Sequence, residues 1–178
     1  MSKIDYDLTK IRAIVLDVDG VLSPSTIPIS ETGEPLRMGN VKDGYALQLA
    51  TREGVKIAII TGGFSVAMSN RFKILGIYDI FQSASDKLPV LKEWMEKEGL
   101  KPEEVAYMGD DIPDLPCLRY VGLATCPYDA AWEVKETAGY ISRFSGGYGA
   151  VRDLVEHVMK ANGKWISSPE VAERMVRW

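Results

Sequence analysis

The chain has only two cysteines, Cys117 and Cys126, and one histidine among 178 residues. That is too little for a disulfide framework or a Cys/His zinc site, so both thiols read as small buried hydrophobes in a reducing compartment. Aliphatic runs reach only about four or five residues, far short of a membrane span, and Asp5 and Asp7 interrupt any signal segment. Neither sign of charge dominates: 21 basic residues against 25 acidic ones leave −4. No Lys/Arg stripe interleaves with aromatics, so nothing supports nucleic-acid binding. Repeats and low-complexity tracts are missing too. What remains is an ordinary globular balance, 46% hydrophobic and 26% charged. One domain of this length buries about 70% of its unfolded surface, and a cytoplasmic location is expected.

Strand-like and helix-like segments alternate along the chain. The apolar run Ala13-Ile14-Val15-Leu16 reads as a buried strand, followed by a β-hairpin at 25–38 around Glu31-Thr32-Gly33-Glu34. Helical patterning over 42–52, strand 55–60 and a helix capped by Ser65 and running to 75 come next. A short strand at 79–81 precedes a helix over 87–98, with Pro89 in its first turn. Strands at 105–108 and 121–125, then helices at 130–136 and 150–161, complete the pattern. Strands separated by helices of this length predict an α/β fold: a Rossmann-like, doubly wound parallel sheet covered on both faces. Residues 1–163 are expected to form the single domain, and 164–178 a tail.

Ligands of open α/β sheets sit outside the carboxyl ends of the strands. Four predicted strand exits carry polar residues: Asp17 and Asp19, Thr61-Gly62, Ser85-Asp86-Lys87, and Asp110-Asp111. Two carboxylates two positions apart suit phosphoryl chemistry, one attacking phosphorus while the other exchanges a proton with the leaving group and then with water. The same pair could bind Mg²⁺ and do nothing else. Each residue alone is a weak signal, because an aspartate after a strand is more often a turn former or helix cap. Asp110 and Asp111 could be loop residues, with Asp114 an N-cap. Their joint placement on strand exits points to a phosphate pocket.

Asp17-Val18-Asp19-Gly20-Val21-Leu22, Ile60-Thr61-Gly62, Lys87 and Gly109-Asp110-Asp111, in this order, resemble the haloacid dehalogenase superfamily of phosphotransferases. Asn40-Val41-Lys42-Asp43-Gly44-Tyr45, 105–111 and Gly149-Ala150-Val151-Arg152 extend the likeness to members that hydrolyse phosphates of eight-carbon 3-deoxy-keto-sugar acids for lipopolysaccharide assembly. The resemblance implies that Asp17 is the nucleophile forming an aspartyl-phosphate. Asp19 is then general acid, later general base, and lends its backbone carbonyl to Mg²⁺. Asp17 and Asp110 complete the metal ligands, with Asp114 supporting them from behind. Thr61, Gly62 and Lys87 hold the phosphoryl group, and Asn40, Val41, Lys42, Asp43, Gly44 and Arg71 contact substrate. The resemblance also implies a homotetramer.

Three positions depart from the family pattern: Gln48, Gly63 and Tyr148 stand where arginines are common. Arginine suits bidentate capture of a sugar carboxylate, so a nine-carbon substrate stays open beside the eight-carbon one. Neither the stretch from Asp19 to Thr61 nor that from Thr61 to Lys87 has room for a separate cap domain. The 25–38 hairpin is therefore expected to pack between subunits. A receiver-type phospho-accepting signalling domain is the reading from another class. In receivers, however, the acids of the first strand are adjacent, and the phosphorylated aspartate lies on a later strand.

Overall fold

The computed structural model describes residues 4–165; the remainder of the expected tail, from 166 on, lies outside the described residues. Six strands form one parallel sheet: β1 (Ala13–Leu16), β2 (Lys56–Ile60), β3 (Asp79–Phe81), β4 (Val105–Met108), β5 (Leu123–Cys126) and β6 (Tyr140–Ile141), in the order β3-β2-β1-β4-β5-β6. The chain winds outward from β1 to β3, returns to β4 on the other side of β1, and winds outward again. The strand order thus reverses between β1 and β4, the crevice in which open α/β sheets place their ligands. Leu16 pairs with Ile59 of β2 and with Met108 of β4, which brings the three strand exits side by side.

Alternation along the strands divides the core into two layers. Ile14, Leu16, Ile57, Ile59, Ala106 and Met108 face one way, against α1 (Val41–Arg52), α2 (Val66–Ile74) and α6 (Ala150–Ala161). Ala13, Val15, Ala58, Ile60, Val105 and Tyr107 face α3 (Lys87–Glu98), α4 (Leu115–Leu118) and α5 (Trp132–Thr137). Central strands buried on both faces explain their continuous aliphatic runs. Asn40 caps α1 by accepting from Lys42 N at 2.8 Å, and Ser65 caps α2 by accepting from Met68 N. Gly149 at the start of α6 has no side chain to cap with. Asp43 of α1 takes that role, accepting from Arg152 N at 2.8 Å.

No separate cap domain is inserted among the described residues, as expected. The 25–38 hairpin is reduced to one antiparallel bridge, Ile29 with Pro35, closed by hydrogen bonds from Ser30 N to Glu34 O and from Leu36 N to Pro28 O. Pro28 and Pro35 lack N–H donors, so a longer ladder cannot form. The chain after α6 packs back on the domain: Trp165 meets Tyr45 edge-on, with Arg152 over its ring.

Candidate active site

Asp17 leaves β1 with its backbone N–H bonded to Met108 O of β4. Its side chain is 9% exposed. Val18 N donates to Oδ1 at 2.7 Å, and Lys87 Nζ lies 2.9 Å from Oδ2. Lys87 opens α3 and is buried, and its ammonium also donates to Asp114 Oδ1 at 2.8 Å. Tyr107 of β4, fully buried, donates its hydroxyl to the same Asp114 oxygen at 2.8 Å. Asp114 Oδ2 accepts from the N–H groups of Asp110 and Asp111.

Asp114 therefore does not cap α4, although it precedes that helix; its side chain orders the β4 exit and Lys87. Asp111, by contrast, is a turn cap, accepting from Ile112 N at 2.8 Å.

A cleft of about 420 Å³ gathers Asp17, Asp19, Thr61, Gly62, Lys87, Asp110 and Asp114. Gly63 N donates to Thr61 Oγ1 at 3.2 Å, so that hydroxyl faces the loop after β2. Gly20 has φ +78°, and a side chain there would collide with the Asp110 carboxylate. Glycine is what lets Asp110 approach the β1 exit.

The electrostatics favour a cation. Carboxylate oxygens of Asp17, Asp110 and Asp114 lie within 4.8 Å of one another. Burial, then the Asp114 charge, pushes the Asp17 carboxyl up to about 6 against the opposing pull of Lys87. Burial and the neighbouring Asp17 and Asp114 charges push Asp110 up to about 8. One ammonium does not balance three carboxylates, two buried and that of Asp110 half-buried, and oxygen donors of this kind fit a hard divalent cation such as Mg²⁺.

The remaining expected substrate residues lie elsewhere. Asn40, Asp43, Gly44 and Arg71 line a shallow groove between α1 and α2. Besides capping α1, Asn40 donates through Nδ2 to Gly147 O at 3.0 Å. Asp43 is 1% exposed, burial pushes its carboxyl up to about 6, and its Oδ2 has no partner. Val41 is exposed, and Lys42 lines a separate cleft along α6 with Arg143, Tyr148 and Arg152. Of the positions where arginine is missing, Gln48 is buried in α1, Gly63 lines the carboxylate cleft and Tyr148 is exposed on the α6 cleft.

Two residues in the site have no counterpart in the sequence reading. Tyr107 had a readable signal, since strand alternation places it on the α3 face with Lys87. Arg37, from the hairpin segment, forks onto Asp19, with Nε 2.7 Å from Oδ1 and Nη2 2.7 Å from Oδ2. No local pattern ties residue 37 to residue 19.

The model of the haloacid dehalogenase-like hydrolases matches residues 39–122. With the strand-exit carboxylates, the lysine and the parallel sheet in place, and a curated relative from Escherichia coli strain K12 at 40% identity over 86% of this chain, the chain belongs to the haloacid dehalogenase-like hydrolases. That relative is 3-deoxy-D-manno-octulosonate 8-phosphate phosphatase KdsC, aligned over 154 residues and 82% of its own length. The crystal structure of the Yersinia pestis 3-deoxy-D-manno-octulosonate 8-phosphate phosphatase superposes with a TM-score of 0.85 at 37% identity, covering 89% of this chain and 85% of that one. The Moraxella catarrhalis phosphatase, solved with a magnesium ion, a phosphate ion and a KDO molecule, gives 0.83 at 35% identity over 87% of this chain and 89% of its own. Among the described residues, no helix is long and apolar enough to cross a membrane.

Proposed function

We propose that this chain is a Mg²⁺-dependent phosphomonoesterase that hydrolyses 3-deoxy-D-manno-octulosonate 8-phosphate to the free sugar acid and phosphate, for lipopolysaccharide precursor synthesis. The observation that carries the reading is the cleft itself. A buried Asp17 is paired to Lys87, Thr61 and Gly62 stand beside it, and a second carboxylate, Asp19, sits at the same strand exit. Likeness to the phosphatases above supports the substrate.

In the first step, Asp17 attacks phosphorus. The bond from phosphorus to the sugar oxygen breaks, and that oxygen takes a proton from Asp19. In the second, water attacks the aspartyl-phosphate and gives its proton to Asp19; phosphate leaves and Asp17 is regenerated. Lys87 holds Asp17 in place and offsets charge on the phosphoryl oxygens, while Thr61 and the neighbouring N–H groups orient them. Mg²⁺, when held by Asp17, Asp110 and the Asp19 carbonyl, supplies further positive charge against those oxygens. The Asp-x-Asp spacing favours this reading over a phospho-accepting receiver, because it leaves Asp19 beside the nucleophile for proton transfer.

The open cleft is completed by neighbouring subunits in a homotetramer. Ile29, Leu36 and Met38 on the hairpin segment are exposed apolar side chains that a partner can cover. Asn40 and Arg71, both half-buried, line a groove apart from their own chain's cleft, which suits service to a neighbour's substrate. A fully active monomer in sedimentation would remove this part of the reading. The reaction belongs in the cytoplasm, where the buried free thiols Cys117 and Cys126 stay reduced. Phosphate release across eight- and nine-carbon keto-sugar acid phosphates and simple hexose phosphates tests the substrate. The eight-carbon compound is expected to give the highest kcat/KM, and a hexose phosphate in first place would overturn the assignment.

A further inference from the structure

The Arg37 side chain is 7% exposed, and all three of its guanidinium nitrogens are engaged. Two of them fork onto Asp19, and Nη1 donates to Phe64 O at 3.2 Å. Its backbone is anchored as well: Met38 N donates to Ser23 Oγ, and Ser23 N donates to Val18 O beside the nucleophile. The guanidinium thus joins the hairpin segment, the β1 exit and the loop after β2. Gly63 makes this possible, because a Cβ there would collide with Arg37 Nη2. Asp19 itself keeps a 37% exposed side chain on the edge of the cleft, where a free carboxylate would turn through several rotamers.

We propose that Arg37 is the positioning residue for Asp19: its fork aims the carboxylate that exchanges protons with the leaving group and with water. A planar fork fixes both oxygens of a carboxylate, which a lysine ammonium cannot do. The hairpin segment thereby takes part in the chemistry of its own subunit. This inference rests on the phosphatase reading above.

The test compares leaving groups under single-turnover conditions. An alkyl phosphate needs a proton from Asp19 as its oxygen departs, whereas p-nitrophenolate leaves without one. Arg37→Ala is expected to slow alcohol release from the best alkyl phosphate by about 100-fold, the lower end of what a positioned acid contributes. Release of p-nitrophenol should fall by less than about threefold, with KM for the alkyl phosphate nearly unchanged. Guanidinium added to the solution should restore part of the loss, and Arg37→Lys should not. Arg37→Met, which keeps a buried unbranched stem and loses the fork, should show the same contrast even if Arg37→Ala does not fold. Equal slowing of both leaving groups would reduce Arg37 to a structural tie. A raised KM at unchanged kcat would make it a substrate contact, and unchanged rates in both variants would remove it from the chemistry. Wild-type activity on the alkyl phosphate tests the phosphatase reading, and only the variant-to-wild-type ratios test Arg37.

Discussion

Replacing Lys87 with methionine removes one charge while nearly keeping the volume, so its effect on stability reports the electrostatics of the cleft. The ammonium sits 2.9 Å from Asp17 and 2.8 Å from Asp114, and all three side chains are at most 9% exposed. Without it, buried carboxylates within 4.8 Å of one another face each other uncompensated. At an effective dielectric of about 20, that separation corresponds to a repulsion of about 3 kcal/mol. Removing one partner of a buried ion pair costs about 3–5 kcal/mol, in agreement. The expected loss in urea unfolding of the metal-free protein near pH 8 is therefore about 3 kcal/mol, or a fall in Tm of about 6–12 °C for a domain of this size.

The pH dependence has a definite sign. Asp17 already sits at about 6, above its unfolded value, and Lys87 is the influence that holds it down. Losing Lys87 raises it further, and a raised carboxyl loses stability as pH climbs through its folded pKa. The penalty should thus be smaller at about pH 5.5 than at about pH 8. Saturating Mg²⁺ should recover part of it. A loss under about 1 kcal/mol near pH 8, or a larger loss at the lower pH, would refute the reasoning.

The same cleft also sets the response to pH, Mg²⁺ and loss of the Asp17 carboxylate. Asp110, raised to about 8, makes the metal-free protein less stable as pH rises from about 4 toward 8. Thermal melts should show Mg²⁺ raising Tm more at about pH 8 than at about pH 5.5, and excess chelator should stop turnover; an equal Mg²⁺ shift at both values would contradict the placement of the cation beside Asp110. Asp17→Asn should keep the circular dichroism spectrum of the wild type and lose turnover, and steady hydrolysis by that variant, with deamidation back to aspartate excluded, would disprove nucleophilic attack by Asp17.

The gathering of the strand-exit residues was legible because parallel strands bring their exits together. Once 13–16, 55–60 and 105–108 read as strands, Asp17, Thr61 and Asp110 had to converge at the β1/β4 crevice. Apart from β3, the short elements were not legible. β6 has two residues and α4 has four, too few for either periodicity to show. The helix expected from 130 begins at Trp132: Ala131 has a non-helical backbone, φ −56° and ψ 152°, and its N–H is tied to Asp110 O at 2.8 Å. That tertiary bond steadies the site and leaves no trace in composition. Arg37 is the same case on a larger scale, since its meeting with Asp19 depends on how a proline-limited hairpin folds over the β1 exit. Asp43 shows the limit of motifs: the segment around Asn40 was expected to bind substrate, yet within one chain Asp43 caps α6.

The central claim is that phosphate passes through Asp17. Acid quenching of the wild-type enzyme during turnover, followed by tryptic digestion, isolates the peptide 13–37, which contains both Asp17 and Asp19. The account predicts a phosphoryl group on that peptide, located at Asp17, labile to hydroxylamine and missing from Asp17→Asn. A phosphoryl group on Asp19 or Asp110, or turnover with no labelled peptide at any quench time, would contradict it.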